Sequence, residues 1–209
     1  MRNIFKESNK FKKFIQILIL TIATVLFNIV LASISARINF VGFMDTLFFF
    51  FLTFYAGLIP GLVAAFLYNP IMGFILSFEN GTQFFIYDSL YSICGMLIVL
   101  ITWLLSRNKR EFNYSRFYTV LSLILISFTS ALASCVSASL LDTFIRPFFG
   151  QPSGFGITDT FSYSFQNQNI GIFLSYFLPR IPITLLDRLI CTFGGYFLFR
   201  LVSKKKEMS

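Results

Sequence analysis

Apolar runs of about 20 residues recur along this chain, separated by short polar or basic stretches, and the apolar positions do not alternate with polar ones as a strand would require. At about 1.5 Å per residue, each run is long enough as a helix to cross a hydrocarbon core about 30 Å thick. The first, Phe14 to Ala36, carries no charge and lies between Lys10, Lys12, Lys13 on one side and Arg37 on the other. Thr46 to Leu76 is a longer apolar stretch, with Gly57, Pro60 and Gly61 at its middle. Those residues make it either one kinked helix or a hairpin of two.

The distribution of charge favours the hairpin. The spans are then 14–36, 43–58, 60–78, 84–105, 117–141 and 183–202, with a long connection over 142–182. Both chain ends and the segment from Ser106 to Arg116 fall on one side of the membrane, and that side collects 13 of the 17 Lys and Arg. The positive-inside rule makes it the cytoplasm. Arg37, Arg146, Arg180 and Arg188 remain on the other side, against Asp45, Glu79, Asp88, Asp142, Asp159 and Asp187. A single straight helix over Thr46 to Leu76 would put the basic loop and the basic tail on opposite faces. The fold class expected is therefore all-α: one polytopic inner-membrane domain over 1–209, a six-transmembrane-helix bundle with both termini cytoplasmic.

Composition agrees. Hydrophobic residues make up 56% of the 209 and charged residues 12%, about half the charged share of an ordinary soluble domain, roughly 25%. The 30 Phe read mainly as lipid-facing filler, because Phe inserts cheaply into a bilayer. The basic amino terminus precedes a run longer than the hydrophobic region of a signal peptide. It reads as a retained first helix; cleavage near Ala32-Ser33-Ile34-Ser35-Ala36 is the alternative. One-sided Lys and Arg are the ordinary topology signal and call for no nucleic acid, although Lys204, Lys205 and Lys206 suit anionic lipid headgroups.

Chemistry enters where charge meets apolar helix. Asp187 and Arg188 stand one turn inside the last span, and intramembrane charges usually face protein or a watery cavity and pair there. A helix beginning near Leu189 would instead leave both at the headgroups. Asp88, with Tyr87 and Tyr91 at the start of the fourth span, is a second candidate. The loop aromatics Phe155, Phe161, Tyr163, Phe165, Phe173, Tyr176 and Phe177 suit either a lid over a pocket or interfacial packing. Ala32 with Ala36, and Gly57 with Gly61, have the small-xxx-small spacing that lets helices approach. The chain has no His, which removes the commonest general base, and it carries no zinc, phosphate-loop or nucleophile motif. Cys94, Cys135 and Cys191 lie in three different apolar runs without CxxC spacing. No enzyme, metal or cofactor is expected.

Two segments resemble the substrate-binding S component of energy-coupling factor (ECF) vitamin transporters. Phe54-Tyr55-Ala56-Gly57-Leu58-Ile59-Pro60-Gly61-Leu62-Val63-Ala64-Ala65 is similar to that family's Gly-Pro hairpin between helices two and three. Pro179 to Tyr196 is similar to its Pro-preceded last helix, with Gly195-Tyr196 and Arg200 near the basic end. Ala32 and Ala36 match the spacing of the alanine motif on helix one but lie late in the span. The resemblance implies capture of a small nutrient from outside, with Asp88, Tyr91, Arg180, Asp187 and Arg188 touching the substrate. It also implies a transmembrane coupling subunit and cytoplasmic ATPase subunits as partners. A six-helix membrane sensor or scaffold that transports nothing is the rival expectation.

Overall fold

The computed structural model describes residues 2–38, 40, 42–81, 84, 86–108, 112, 115–149, 165 and 171–207, and every regular element among them is helical. Five helical segments are long and apolar enough to cross a membrane, at 11–37, 58–79, 86–106, 116–149 and 172–204, and a shorter apolar helix covers Leu47–Ala56. The protein is therefore built to lie in a membrane.

α1 (Arg2–Arg37) starts well before the charge-free run. Its outer stripe Ile19, Ile22 and Leu26 is exposed, whereas Val25, Asn28 and Ile29 turn inward. α2 (Leu47–Ala56) and α3 (Leu58–Asn80) are separated by Gly57 alone, at φ +91°. The chain doubles back there. Phe49 and Tyr68 meet edge-on with ring centroids 5.6 Å apart, although 19 residues of straight helix would separate them by about 28 Å. Pro60 falls in the first turn of α3, where its missing N–H costs no helical bond. A Cβ on Gly61 would come within 2.7 Å of Thr53 Oγ1 and 2.8 Å of Val99. The two glycines of the GxxxG step thus divide the work: Gly57 makes the reversal and Gly61 the close contact.

Further along α3, Pro70 cannot donate to the Phe66 carbonyl one turn back. Ser92 Oγ, from a neighbouring helix, donates to that oxygen at 3.0 Å. A membrane helix keeps an internal proline by such replacement. Beyond Gly81, α4 (Ile86–Leu90) and α5 (Ser92–Ser106) meet at Tyr91, with tight bonds from Tyr91 N–H to the Asp88 carbonyl (3.3 Å) and from Cys94 N–H to the Tyr91 carbonyl (3.0 Å).

α6 (Arg116–Leu140) is capped by Ser115, whose side chain accepts from Tyr118 N–H. It runs on through a π turn, Leu141–Ile145, and a 3-10 turn, Arg146–Phe149. α7 (Ile172–Glu207) holds Pro179 and Pro182 inside it. The connection expected over 142–182 is consequently much shorter, because both helices extend into it, and the spans expected to end at 141 and begin at 183 are corrected accordingly. Prolines read as loop punctuation are internal to a membrane helix. Of the loop aromatics, Phe155, Phe161 and Tyr163 lie outside the described residues, while Phe173, Tyr176 and Phe177 belong to the first turns of α7. Phe173 and Phe177 stack with centroids 5.6 Å apart.

Two apolar clusters hold the bundle. One joins Val25, Phe49, Leu52, Ala65 and Val99 across α1, α2, α3 and α5. The other joins Phe50, Ile98, Leu123, Ile126 and Cys191 across α2, α5, α6 and α7. α2 and α7 touch backbone to side chain at Gly195, where an added Cβ would lie 2.7 Å from the Leu47 carbonyl oxygen. Between α1 and α2 the chain is irregular over 42–46, with Met44 at φ +54°. That strand of backbone is folded inward: Ser35 Oγ donates to the Gly42 carbonyl at 2.7 Å, and Phe48 N–H donates to Asn28 Oδ1 at 3.0 Å.

Candidate functional site

At the end of the bundle away from both chain ends, the helices line a partly open cavity of about 320 Å³. It is bordered by Phe43, Asp45 and Thr46 and walled by α3, the α4–α5 junction, the end of α6 with the turns that follow it, and the first half of α7. Aromatic groups from Phe43, Phe49, Tyr68 and Tyr91 line it together with Asp45, Asp88, Arg146, Arg180 and Arg188. Charged residues inside a membrane bundle are costly unless paired, and two ion clusters answer that requirement here.

The first cluster centres on Asp142, which is 2% exposed. It stands in the π turn that continues α6. Tyr87 and Tyr91 hydroxyls both donate to Asp142 Oδ1, at 2.7 and 2.5 Å, Arg180 Nη2 donates to Oδ2, and Arg146 Nη1 lies 3.4 Å from Oδ1. One carboxylate thus holds two guanidiniums and two phenols in place, and Arg146 also lies over the Tyr87 ring, 5.9 Å from its centroid.

The second cluster centres on Arg188, whose Nη1 donates to Thr46 Oγ1 and lies 3.4 Å from Asp45 and 3.1 Å from Asp187. Asp187, fully buried, also accepts from Met44 N–H at 2.7 Å. That bond pins the irregular segment whose positive φ at Met44 would otherwise be unfavourable.

Of the residues singled out in the sequence, Asp88, Tyr91, Arg180 and Arg188 border this one cavity, and Asp187 stands behind Arg188, bonded to backbone. Because α7 starts at Ile172, Asp187 and Arg188 lie several turns inside the helix. Ala32 and Ala36 border a second cavity of about 280 Å³ on the α1 side, which shares Phe43, Asp45 and Tyr68 with the first. Sequence reasoning missed Asp142, Asp45 and Arg146 as site residues. The signal was there: Asp142 and Arg146 are four residues apart in a segment that a helix could continue through. Ser134 and Thr184, which also line the cavity, carry no signal of their own among the many hydroxyls of these helices.

Among the described residues no group of His, Cys, Asp or Glu is arranged to hold a metal ion. What the arrangement can do is bind: it offers fixed donors, fixed acceptors and ring faces around one small volume. Comparison of the chain with models of known families, with curated proteins and with solved structures finds no match.

Proposed function

We propose that the chain is the substrate-binding membrane subunit of an ECF-type transporter, which captures a small, vitamin-like nutrient from outside for uptake driven by partner ATPases. The observation that carries this reading is the cavity itself: about 320 Å³, within the range of about 300–1,000 Å³ typical of small-molecule sites, and walled by charges that an apolar bundle would otherwise exclude. Position supports it further. The cavity lies at the end of the bundle opposite the basic amino terminus, the 106–116 connection and the basic carboxyl end, and the positive-inside rule assigns that end to the outside.

In this reading α2 completes a sixth crossing despite its 10 residues. At about 15 Å of helix it spans only half the hydrocarbon, and the irregular 42–46 segment supplies the rest while bordering the cavity. Both termini are cytoplasmic. Irregular backbone is tolerated at that depth only where protein buries it or a cavity adjoins it, and here both hold. Substrate meets Asp88, Tyr91, Arg180 and Arg188, while Asp187 positions Arg188 and the 42–46 segment. Ala32 and Ala36 offer a low surface on α1 where a transmembrane coupling subunit docks. ATP hydrolysis belongs to separate subunits.

The test is reconstitution. Expressed with its chromosomal neighbours, the chain should co-purify with a membrane coupling subunit and an ATPase pair, and proteoliposomes of that complex should take up substrate only with ATP inside the compartment matching the basic face. Purification as a lone chain that binds a small molecule would favour a sensor, and uptake without ATPases would refute the proposal.

A further inference from the structure

We infer that the molecule captured in the cavity is uncharged and amide-like, bound through carbonyl oxygen to Arg180 and Ser134. This rests on the reading of the cavity as a ligand site and adds the chemical class of the occupant and the residues that select it.

The carbonyl follows from donors that the protein leaves unused. α6 is rich in hydroxyls, and most fold back onto their own helix: Ser127 Oγ donates to the Leu123 carbonyl, Ser130 Oγ to the Ser127 carbonyl and Ser137 Oγ to the Ala133 carbonyl. Ser134 does not. It is 5% exposed, lines the cavity, and its Oγ has no hydrogen-bond partner. Arg180, on the same wall, uses Nη2 on Asp142 and keeps Nη1 buried without a partner, and Arg188 Nε is in the same condition. These groups share a neighbour: Cys94 Sγ lies 4.0 Å from the Ser134 carbonyl oxygen, and Cys94 is within electrostatic reach of both Arg180 and Arg188. Buried donors without acceptors are rare and costly. Several of them on one cavity wall describe the complement of a group with acceptor oxygens.

What these donors lack is an acceptor and not a counter-charge. Each guanidinium on the wall already has a carboxylate beside it: Arg180 has Asp142, Arg188 has Asp45 and Asp187, and Arg146 has Asp142 and also feels the charge of Asp88. Asp45 and Asp88 border the same cavity, so an added carboxylate would meet two groups of its own sign. An amine would be drawn to those acids but would bring nothing for Arg180 or Ser134 to donate to. A neutral carbonyl, with two lone pairs, accepts from these donors without adding charge, and an amide N–H beside it has Asp45 and Asp88 as acceptors. Phe43, Phe49, Tyr68 and Tyr91 offer ring faces to a flat body.

The test compares probes that share a body and differ in one group. Benzamide, benzoate and benzylamine, and the larger set 2-naphthamide, 2-naphthoate and 2-naphthylmethylamine, are titrated calorimetrically into the purified full chain in detergent. In at least one set the amide should bind about tenfold tighter than either analogue, the worth of one hydrogen bond to a charged donor. Ser134→Ala, which breaks no side-chain bond within the protein, should weaken the amide about threefold or more and leave the amine unchanged. Asp88→Asn should strengthen the acid relative to the amide. Tightest binding by the acid would overturn the uncharged class, and tightest binding by the amine, or an amide indifferent to Ser134→Ala, would overturn the role given to the donors. If no probe binds while native mass spectrometry finds a small adduct on the purified chain, the class falls and the ligand site stands; if neither is found, both fall.

Discussion

Asp142 is the residue on which the charged wall depends. Its two oxygens accept from Tyr87, Tyr91 and Arg180 and sit beside Arg146, so neutralising it takes the carboxylate from Arg180 and one anionic neighbour from Arg146. Removing one partner of a buried ionic cluster costs about 3–5 kcal/mol. Asp142→Ala is therefore expected to lower the thermal midpoint in detergent sharply. Ser134→Ala, at the same depth but without a bonding partner, should leave the midpoint within the error of the measurement; equal losses in the two variants would show that the cluster is not the stabilising unit. Asp187→Ala belongs with the first kind, because it frees Met44 N–H and removes one neighbour of Arg188. Arg188 was legible in the sequence because a charge interrupting an apolar run is conspicuous. Asp142 and Asp45 were not, because each stands at the margin of a run, where a charge looks like the end of a helix.

Helix boundaries in this chain are set by partners that a linear reading does not see. Pro179 and Pro182 look like terminators, yet α7 passes through both. Pro70 shows how this is possible, with Ser92 Oγ taking over the carbonyl the ring leaves open. Conversely, the turn between α2 and α3 was readable, since Gly57 followed closely by Pro60 is a combination that a continuous helix rarely carries. Substitution should separate the roles of the glycines. Gly57 sits at φ +91° and ψ −163° with open space around it, a backbone region close to glycine's alone, so Gly57→Ala is expected to cost about 1–3 kcal/mol through strain. Gly195 has ordinary backbone and no room, its absent Cβ lying 2.7 Å from Leu47 oxygen and Phe50 Cβ. Gly195→Ala should cost a similar amount, about 1–3 kcal/mol, through overpacking. The mechanisms differ in one observable: Gly195→Ser should cost more than Gly195→Ala, because the added atom enters the same packed wall, whereas Gly57→Ser should cost about what Gly57→Ala does, because nothing stands within 4 Å of its absent Cβ. Unfolding in a graded denaturing detergent reads both.

On the scale of the whole molecule, two gradients run along the bundle axis. Most lysine and arginine gather at one end, and the cavity, with Asp45, Asp88, Arg146, Arg180 and Arg188 on its wall, occupies the other. The apolar clusters hold the helices together, and the first of them reaches the cavity wall through Phe49 and Tyr68. A topology assay reports the orientation directly. With the three native cysteines replaced by serine, Ser115→Cys should react with an impermeant maleimide only from the cytoplasmic side and Ser153→Cys only from outside; the reverse pattern would discard the orientation and, with it, capture from outside. The general design of apolar helices with charge concentrated at one rim was legible in composition and run length. The cavity was not, since it arises from the inward folding of residues 42–46 against α1 and α7, a consequence of long-range bonds to Ser35, Asn28 and Asp187.

The central claim, that the charged cavity holds a small molecule, meets its most direct test in native mass spectrometry of the chain released from detergent micelles after gentle purification. Wild type should carry a single small adduct at one per chain, and Arg180→Gln should carry none while keeping its folded charge-state distribution. Adduct-free wild type after purification from cells grown in rich medium, or an adduct retained equally by Arg180→Gln, would contradict it.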